Sequence, residues 1–122
     1  MQSDILDAVE ANHIVDISTT GRKTGRVHRH EIWLHTADSQ FYLTGKPAPR
    51  DWHANVLAHP QMIVHLKHDL VKDVSAYAIP ITDPTERRTL LTKLLQDTPY
   101  IENLEAWVAG SPLVRITMQT TE

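Results

Sequence analysis

The sequence predicts a small, mainly β barrel with flanking helices, and three observations predict it. Short apolar-rich segments recur along the chain, about six of them, each with the alternation of a half-buried strand. Most are joined by only a few residues of turn chemistry, which makes neighbouring strands antiparallel. Strands this short and this numerous leave exposed edges unless the sheet closes on itself.

The elements follow in order. Ser3 caps a first helix reaching Asn12, with Asp4 and Asp7 near its positive end and Ile5, Leu6 and Val9 on one face. Residues 13–19 form a strand around Ile14, Val15 and Ile17. Residues 27–36 read as one longer strand, with His28, His30, Ile32 and Leu34 on one face and Arg29, Glu31, Trp33 and His35 on the other. A turn over 37–40 returns the chain as a strand over 41–44. Glycine and two prolines make 45–50 a loop, Asp51 is placed to cap a helix over 52–58, and Pro60 stops it. Residues 62–66 and 71–81 are strands around a turn at His68 and Asp69. Asp83, Pro84 and Glu86 spell a helix start, with Asp83 as cap, Pro84 in the first turn and Glu86 reaching back. Leu90, Leu91, Leu94 and Leu95 form the packing stripe of that helix. A helical turn over 100–107 carries Trp107 as a core anchor, and 113–118 is the last strand.

Composition bounds the function. The 122 residues suit a single domain, 1–122, and contain no cysteine, which excludes disulfides and thiolate chemistry. No apolar run approaches the roughly 20 residues that span a bilayer, and the first residues lack the basic and apolar regions of a signal peptide, so a cytoplasmic protein is expected. The net charge of −3 conceals an asymmetry: Lys and Arg outnumber Asp and Glu between Gly21 and His53, and the rest of the chain is acidic. A focused basic window on an acidic chain points to a small anionic ligand rather than to nucleic acid.

That window is centred on Thr-Thr-Gly-Arg-Lys-Thr-Gly-Arg, residues 19–26. Two glycines bracket a tight cationic loop, and backbone N–H groups there can turn toward an anion. Arg22, Lys23, Arg26 and Arg29 add fixed charge, and a phosphate is the simplest ligand. A solvated hairpin turn is the alternative reading of the same residues. The eight histidines include the pairs His28/His30 and His65/His68, but no third ligand has telling spacing, so no metal site is assigned.

The glycine loop, followed by Gly45…Trp52-x-x-Asn55-x-x-Ala58-x-Pro60, resembles the deazaflavin-dependent nitroreductases and quinone reductases, proteins of the split β-barrel flavin-binding fold related to pyridoxamine-phosphate oxidases. Residues 82–87 and the stretch from Pro99 to Trp107 resemble the same family, so the likeness covers 13–118. It implies a split barrel that binds coenzyme F420, a deazaflavin, with FMN or haem as the ligands of related barrels. It implies hydride transfer from the reduced cofactor to a small electron acceptor: a quinone, nitroaromatic or activated alkene. Carried over, Arg22, Lys23 and Thr24 would hold phosphate. His28 to Trp33, with His28, Arg29 and His30 first among them, would line the ring side, Thr44, Gly45 and Lys46 would follow the ring, and Trp52 and Asn55 would close the site.

The chain also departs from that pattern. The family arginine falls on His28, with Arg29 one residue later, so either the loop is shifted by one or His28 takes the role. The loop from Gly45 to Asp51 is short, and the family tyrosines fall on Ile101 and Leu104 with Tyr100 displaced, so Tyr100, Tyr42 or a histidine is the candidate proton donor. Trp33 and Trp52 are candidate ring walls. A non-catalytic cofactor or haem carrier of the same fold is the competing function, and a homodimer is compatible with either.

Overall fold

The computed structural model describes residues 14–68 and 70–119. The helix expected over the first dozen residues, the start of the first strand at His13 and the turn residue Asp69 lie outside the described residues. Among the described residues seven strands, β1 (Ile14–Thr20), β2 (Val27–Trp33), β3 (His35–Ala37), β4 (Gln40–Thr44), β5 (Gln61–Lys67), β6 (Val71–Pro80) and β7 (Leu113–Met118), are joined by three helices. The helices are α1 (Asp51–Ala58), α2 (Pro84–Leu95) and α3 (Leu104–Gly110), with a 3-10 turn at Pro99–Asn103. The strands form one antiparallel sheet in the order β2-β1-β5-β6-β7-β4-β3.

The expected strand over 27–36 is two strands, which raises the count from six to seven. β2 pairs with β1 and β3 pairs with β4, so Leu34 alone joins the two opposite edges of the sheet. The sheet must roll up for one residue to span that gap, and Leu34 is fully buried inside the roll. This is the mainly β split-barrel class: a curled sheet whose first and last strands approach at a seam.

Alternation along the strands fills the roll. Val15, Ile17, Val64, Val74, Phe41, Leu43, Val114 and Ile116 point inward, and Trp52 and Val56 of α1 plug one end. On the other side of β4 and β7, Tyr42 and Leu113 pack against Leu90, Leu91 and Leu95 of α2 and Trp107 of α3. The leucine stripe and the Trp107 anchor are therefore packing, as expected. Arg87 ties this second layer together by donating to the carbonyls of Ile81, Trp107, Val108 and Ser111 at 2.7–3.1 Å.

Two caps differ from expectation. Asp83 accepts from the Glu86 amide at 2.9 Å, but the Glu86 carboxylate lies 4.0 Å from Arg115 instead of folding back. At α1 the extended residue in the cap position is Arg50, and Asp51 is already in the first turn, 3.6 Å from Arg22. Asp51 thus supplies negative charge at the helix start rather than a capping bond.

Candidate functional site

The loop of residues 21–25 is tied shut at its base. Gly21 donates to the Arg26 carbonyl at 2.7 Å, and Gly25 donates back to the Gly21 carbonyl at 2.9 Å. Arg26 donates its amide to the Thr24 hydroxyl at 3.2 Å. Gly25 has φ +73°, where glycine is unstrained. The open cradle of N–H groups expected from the sequence is therefore smaller. Four amides are spent, and within the described residues those of Lys23 and Thr24 at the tip are left over.

Asn55 fixes the loop to α1. Its side-chain carbonyl accepts from the Arg22 amide and guanidinium, and its amide donates to the Thr19 hydroxyl at 3.4 Å. Asn55 is buried with its polar atoms turned to the protein, so it positions the loop. Arg22, also beside Asp51, is half committed to that bracket, whereas Lys23 is exposed.

A cavity of about 740 Å3 lies over this assembly. It collects eight of the expected site residues: Arg22, Lys23, Thr24, His28, Arg29, His30, Trp52 and Asn55. His28 and Arg29 divide as strand alternation demands. β1 and β2 are in unshifted register, with Thr19 opposite His28 and Ser18 opposite Arg29. His28 lies on the inner face, close enough that a Cβ on Gly21 would stand 3.0 Å from its Nε2. The Arg29 guanidinium is on the other face, 3.0 Å from Asp16. The charge of Arg29 therefore does not face the cavity that its backbone borders.

His30 sits deeper in the same wall. Its Nε2 is buried without a hydrogen-bond partner among the described residues. Burial pushes the imidazole below its ordinary value, partly opposed by the charge of Asp16. Trp52 is buried in the core between α1 and the sheet.

The other expected residues line a second cavity of about 690 Å3. Thr44, Gly45 and Lys46 meet Tyr100 there, with Trp33, His35, Leu94 and Pro99 as further walls. The Thr44 hydroxyl donates to the Pro112 carbonyl at 2.6 Å, which ties the end of β4 to the start of β7. Tyr100 packs at 5.4 Å on Trp107, and the Lys46 ammonium lies 5.3 Å from its ring centre. The two cavities follow one another along residues 28–36, past the seam. Sequence reasoning gave Arg50 no role, yet it borders the first cavity and donates to the Lys46 carbonyl at 3.1 Å, bracing the loop that borders the second. Its position after Pro49 in a basic window was the available signal.

The rolled sheet with its seam defines a split-barrel protein of the pyridoxamine-phosphate-oxidase-like fold. The chain belongs to the F420H(2)-dependent quinone reductase family, whose model matches residues 4–119. Among solved structures it is similar to a conserved hypothetical protein of Mycobacterium tuberculosis, with 17% identity and TM-score 0.72 over 98% of this chain and 81% of the other. An FAD-binding protein of Mesorhizobium loti matches with 13% identity and TM-score 0.68 over 98% and 89%. A Clostridium acetobutylicum protein of the pyridoxinephosphate oxidase family matches with 14% identity and TM-score 0.68 over 96% and 82%. No curated protein matches the sequence. No helix among the described residues is long and apolar enough to cross a membrane.

Proposed function

We propose that this protein is an oxidoreductase that binds reduced F420, or FMN in its place, and passes a hydride to a quinone, nitroaromatic or activated alkene. One observation carries the reading: a cationic loop, a buried imidazole nitrogen with no partner among the described residues and an apolar, aromatic-walled cavity succeed one another along a single seam. Cationic side chains and two unspent amides suit a phosphate, and the aromatic cavity suits a ring system and a flat acceptor. The donor set therefore fits a phosphorylated redox cofactor.

The bound cofactor supplies the hydride chemistry. The chain supplies the rest. Lys23 and Thr24 hold the phosphate, with Arg22 placed by Asn55. His28 and His30 line the path to the ring, and Gly45 and Lys46 border the ring with main-chain groups. Trp33 and Tyr100 wall the acceptor side. Tyr100 is the candidate donor of a proton to the reduced acceptor. Titration of the protein with F420 and FMN in parallel tests the reading, on wild type and Lys23→Ala. Saturable binding weakened about tenfold or more by the substitution is expected for a lost charge-assisted contact. Absence of binding to both overturns it.

A cofactor carrier without turnover is the second reading. Ile101 and Leu104, where the resemblance places tyrosines, favour it. Menadione reduction by the loaded protein separates the two, since a carrier binds and does not turn over. We also propose a homodimer in which a second copy covers Trp33, 57% exposed at the edge of the second cavity. Light scattering that returns a monomer overturns that part. A cytoplasmic location completes the proposal, and cell fractionation tests it.

A further inference from the structure

On the outer face of the sheet, away from the cofactor cleft, three side chains from adjacent strands form a connected relay. Ser18 Oγ of β1 lies 2.7 Å from His65 Nε2 of β5, and His65 Nδ1 lies 2.7 Å from Asp73 Oδ1 of β6. His65 and Asp73 are direct cross-strand partners. Ser18 and His65 are largely buried, with Ser18 8% exposed, and the Asp73 side chain is 71% exposed. With Nδ1–H donated to the carboxylate, Nε2 is left as the acceptor for the serine hydroxyl proton. That is the polarity in which an imidazole acts as general base toward a nucleophilic hydroxyl. The other acid nearby does not compete for His65. Asp16, its cross-strand partner on β1, accepts from Lys67 at 2.8 Å and Arg29 at 3.0 Å, and Lys67 is shared with Glu31.

The sheet parts next to the serine. The register between β1 and β5 ends at Ser18 opposite Ile63, although β1 runs on to Thr20 and β5 starts back at Gln61. A cavity of about 310 Å3 occupies that gap, and Ser18 lines it. Its walls include Val27, Ile63 and Tyr77, which suit a short apolar chain, and Gln61 and Gln119, whose amides carry N–H donors for an oxygen gaining charge. The serine follows strand alternation: Thr19, one residue on, turns inward to Asn55, and Ser18 faces out.

We propose that Ser18, His65 and Asp73 form a second active site that cleaves small activated carboxylic esters through an acyl-serine. Ser18 Oγ attacks the ester carbonyl carbon, and its proton passes to His65 Nε2. The ester C–O bond breaks, and the alcohol departs with that proton. Water then attacks the acyl carbon, His65 takes its proton and returns it to Ser18 Oγ, and the carboxylic acid leaves. No electrons are exchanged, and the site needs neither F420 nor FMN, so its fate is separable from that of the proposed reductase.

The test is p-nitrophenyl acetate hydrolysis by the purified full chain without cofactor, followed by release of p-nitrophenolate and by mass mapping of the acetylated residue. The expected result is an acetyl group on Ser18, absent in Ser18→Ala and in His65→Gln. Because Asp73 is exposed, Asp73→Asn retains the fold, which a thermal melt checks, and slows acylation about tenfold or more. A fluorophosphonate probe on wild type gives a readout that needs no variant, with Ser18 as the labelled residue. An unlabelled Ser18 at saturating probe overturns the proposal. So does acetyl transfer confined to lysines, or an acylation rate that Asp73→Asn leaves unchanged.

Discussion

The side-chain carbonyl of Asn55 accepts both the backbone amide of Arg22, at 3.1 Å, and its guanidinium, at 2.9 Å. A residue of α1 thereby sets both the main chain and the side chain of the cationic loop 33 positions away. Asn55→Ala leaves the Arg22 amide without its partner and frees the loop. A loss of about 1–3 kcal/mol in urea unfolding is expected, together with weaker cofactor binding.

Lys23 and Arg29 are predicted to behave differently although both belong to the basic window. Arg29→Ala breaks only a surface pair with Asp16, so it should cost little stability and leave cofactor affinity unchanged. Lys23→Ala should leave the melting temperature unchanged and weaken binding. Calorimetric titration of the two variants side by side checks the contrast. Equal losses would show that the outer-face charge also reaches the ligand.

The two loop glycines fail for different reasons. Gly21→Ala places a methyl 3.0 Å from His28 Nε2 and 3.1 Å from the Arg26 carbonyl, so the imidazole must shift and the loop closure must open. Gly25→Ala meets no neighbour within 4 Å but must hold φ +73°, a strain of about 1–2 kcal/mol. The first substitution should disturb ligand binding more than stability, and the second the reverse, by titration and denaturant melts.

Acid should destabilise the protein through His30 and His53. Burial holds both imidazoles below the ordinary 6.5, with the positive charge of Arg87 adding to the effect on His53. A depressed folded pKa means that the unfolded chain binds protons first as pH falls. Stability is therefore full above 6.5 and lost on acidification through the window between that value and the lower folded one. Melting temperatures measured downward from pH 7.5 should fall, and His30→Gln should flatten part of the slope.

Arg87 is the strongest structural prediction. Its guanidinium serves four carbonyls at the junction of α2, α3 and β7, and burial lowers its pKa with no carboxylate among the described residues to offset the cost. Arg87→Ala strands those carbonyls and should cost about 3 kcal/mol or more in denaturant unfolding. Arg87→Lys, with a single nitrogen, should recover only part of it.

Much of the fold was legible because local chemistry and tertiary packing agree. Asp83 and Pro84 start a helix by capping alone, and the leucines that follow fall on one face whatever they meet. The inward set His30, Ile32 and Leu34 also followed from alternation. The break at Leu34 did not, because a strand that changes partners keeps its period across the change. At α1, Asp51 has the better capping chemistry, yet the extended Arg50 takes the position because it braces the preceding loop through Lys46. For the site, the cationic loop was visible as a contiguous string. The bracket of Asn55 on Arg22 and the meeting of Trp33 with Tyr100 depend on rolling the sheet, which no short spacing encodes.

Leu34 has one more consequence. Because it alone bridges the rims of the roll, the width of the slot is set by covalent geometry, not by side chains that can drift apart. An extra residue inserted there would let the mouth gape while leaving every ladder intact. The hairpin at Asp38 and Ser39, a few positions on, joins neighbouring strands and tolerates lengthening without altering the aperture. Evolution can thus resize what the slot admits through its lining, but the slot's calibre is held by a link one amino acid long.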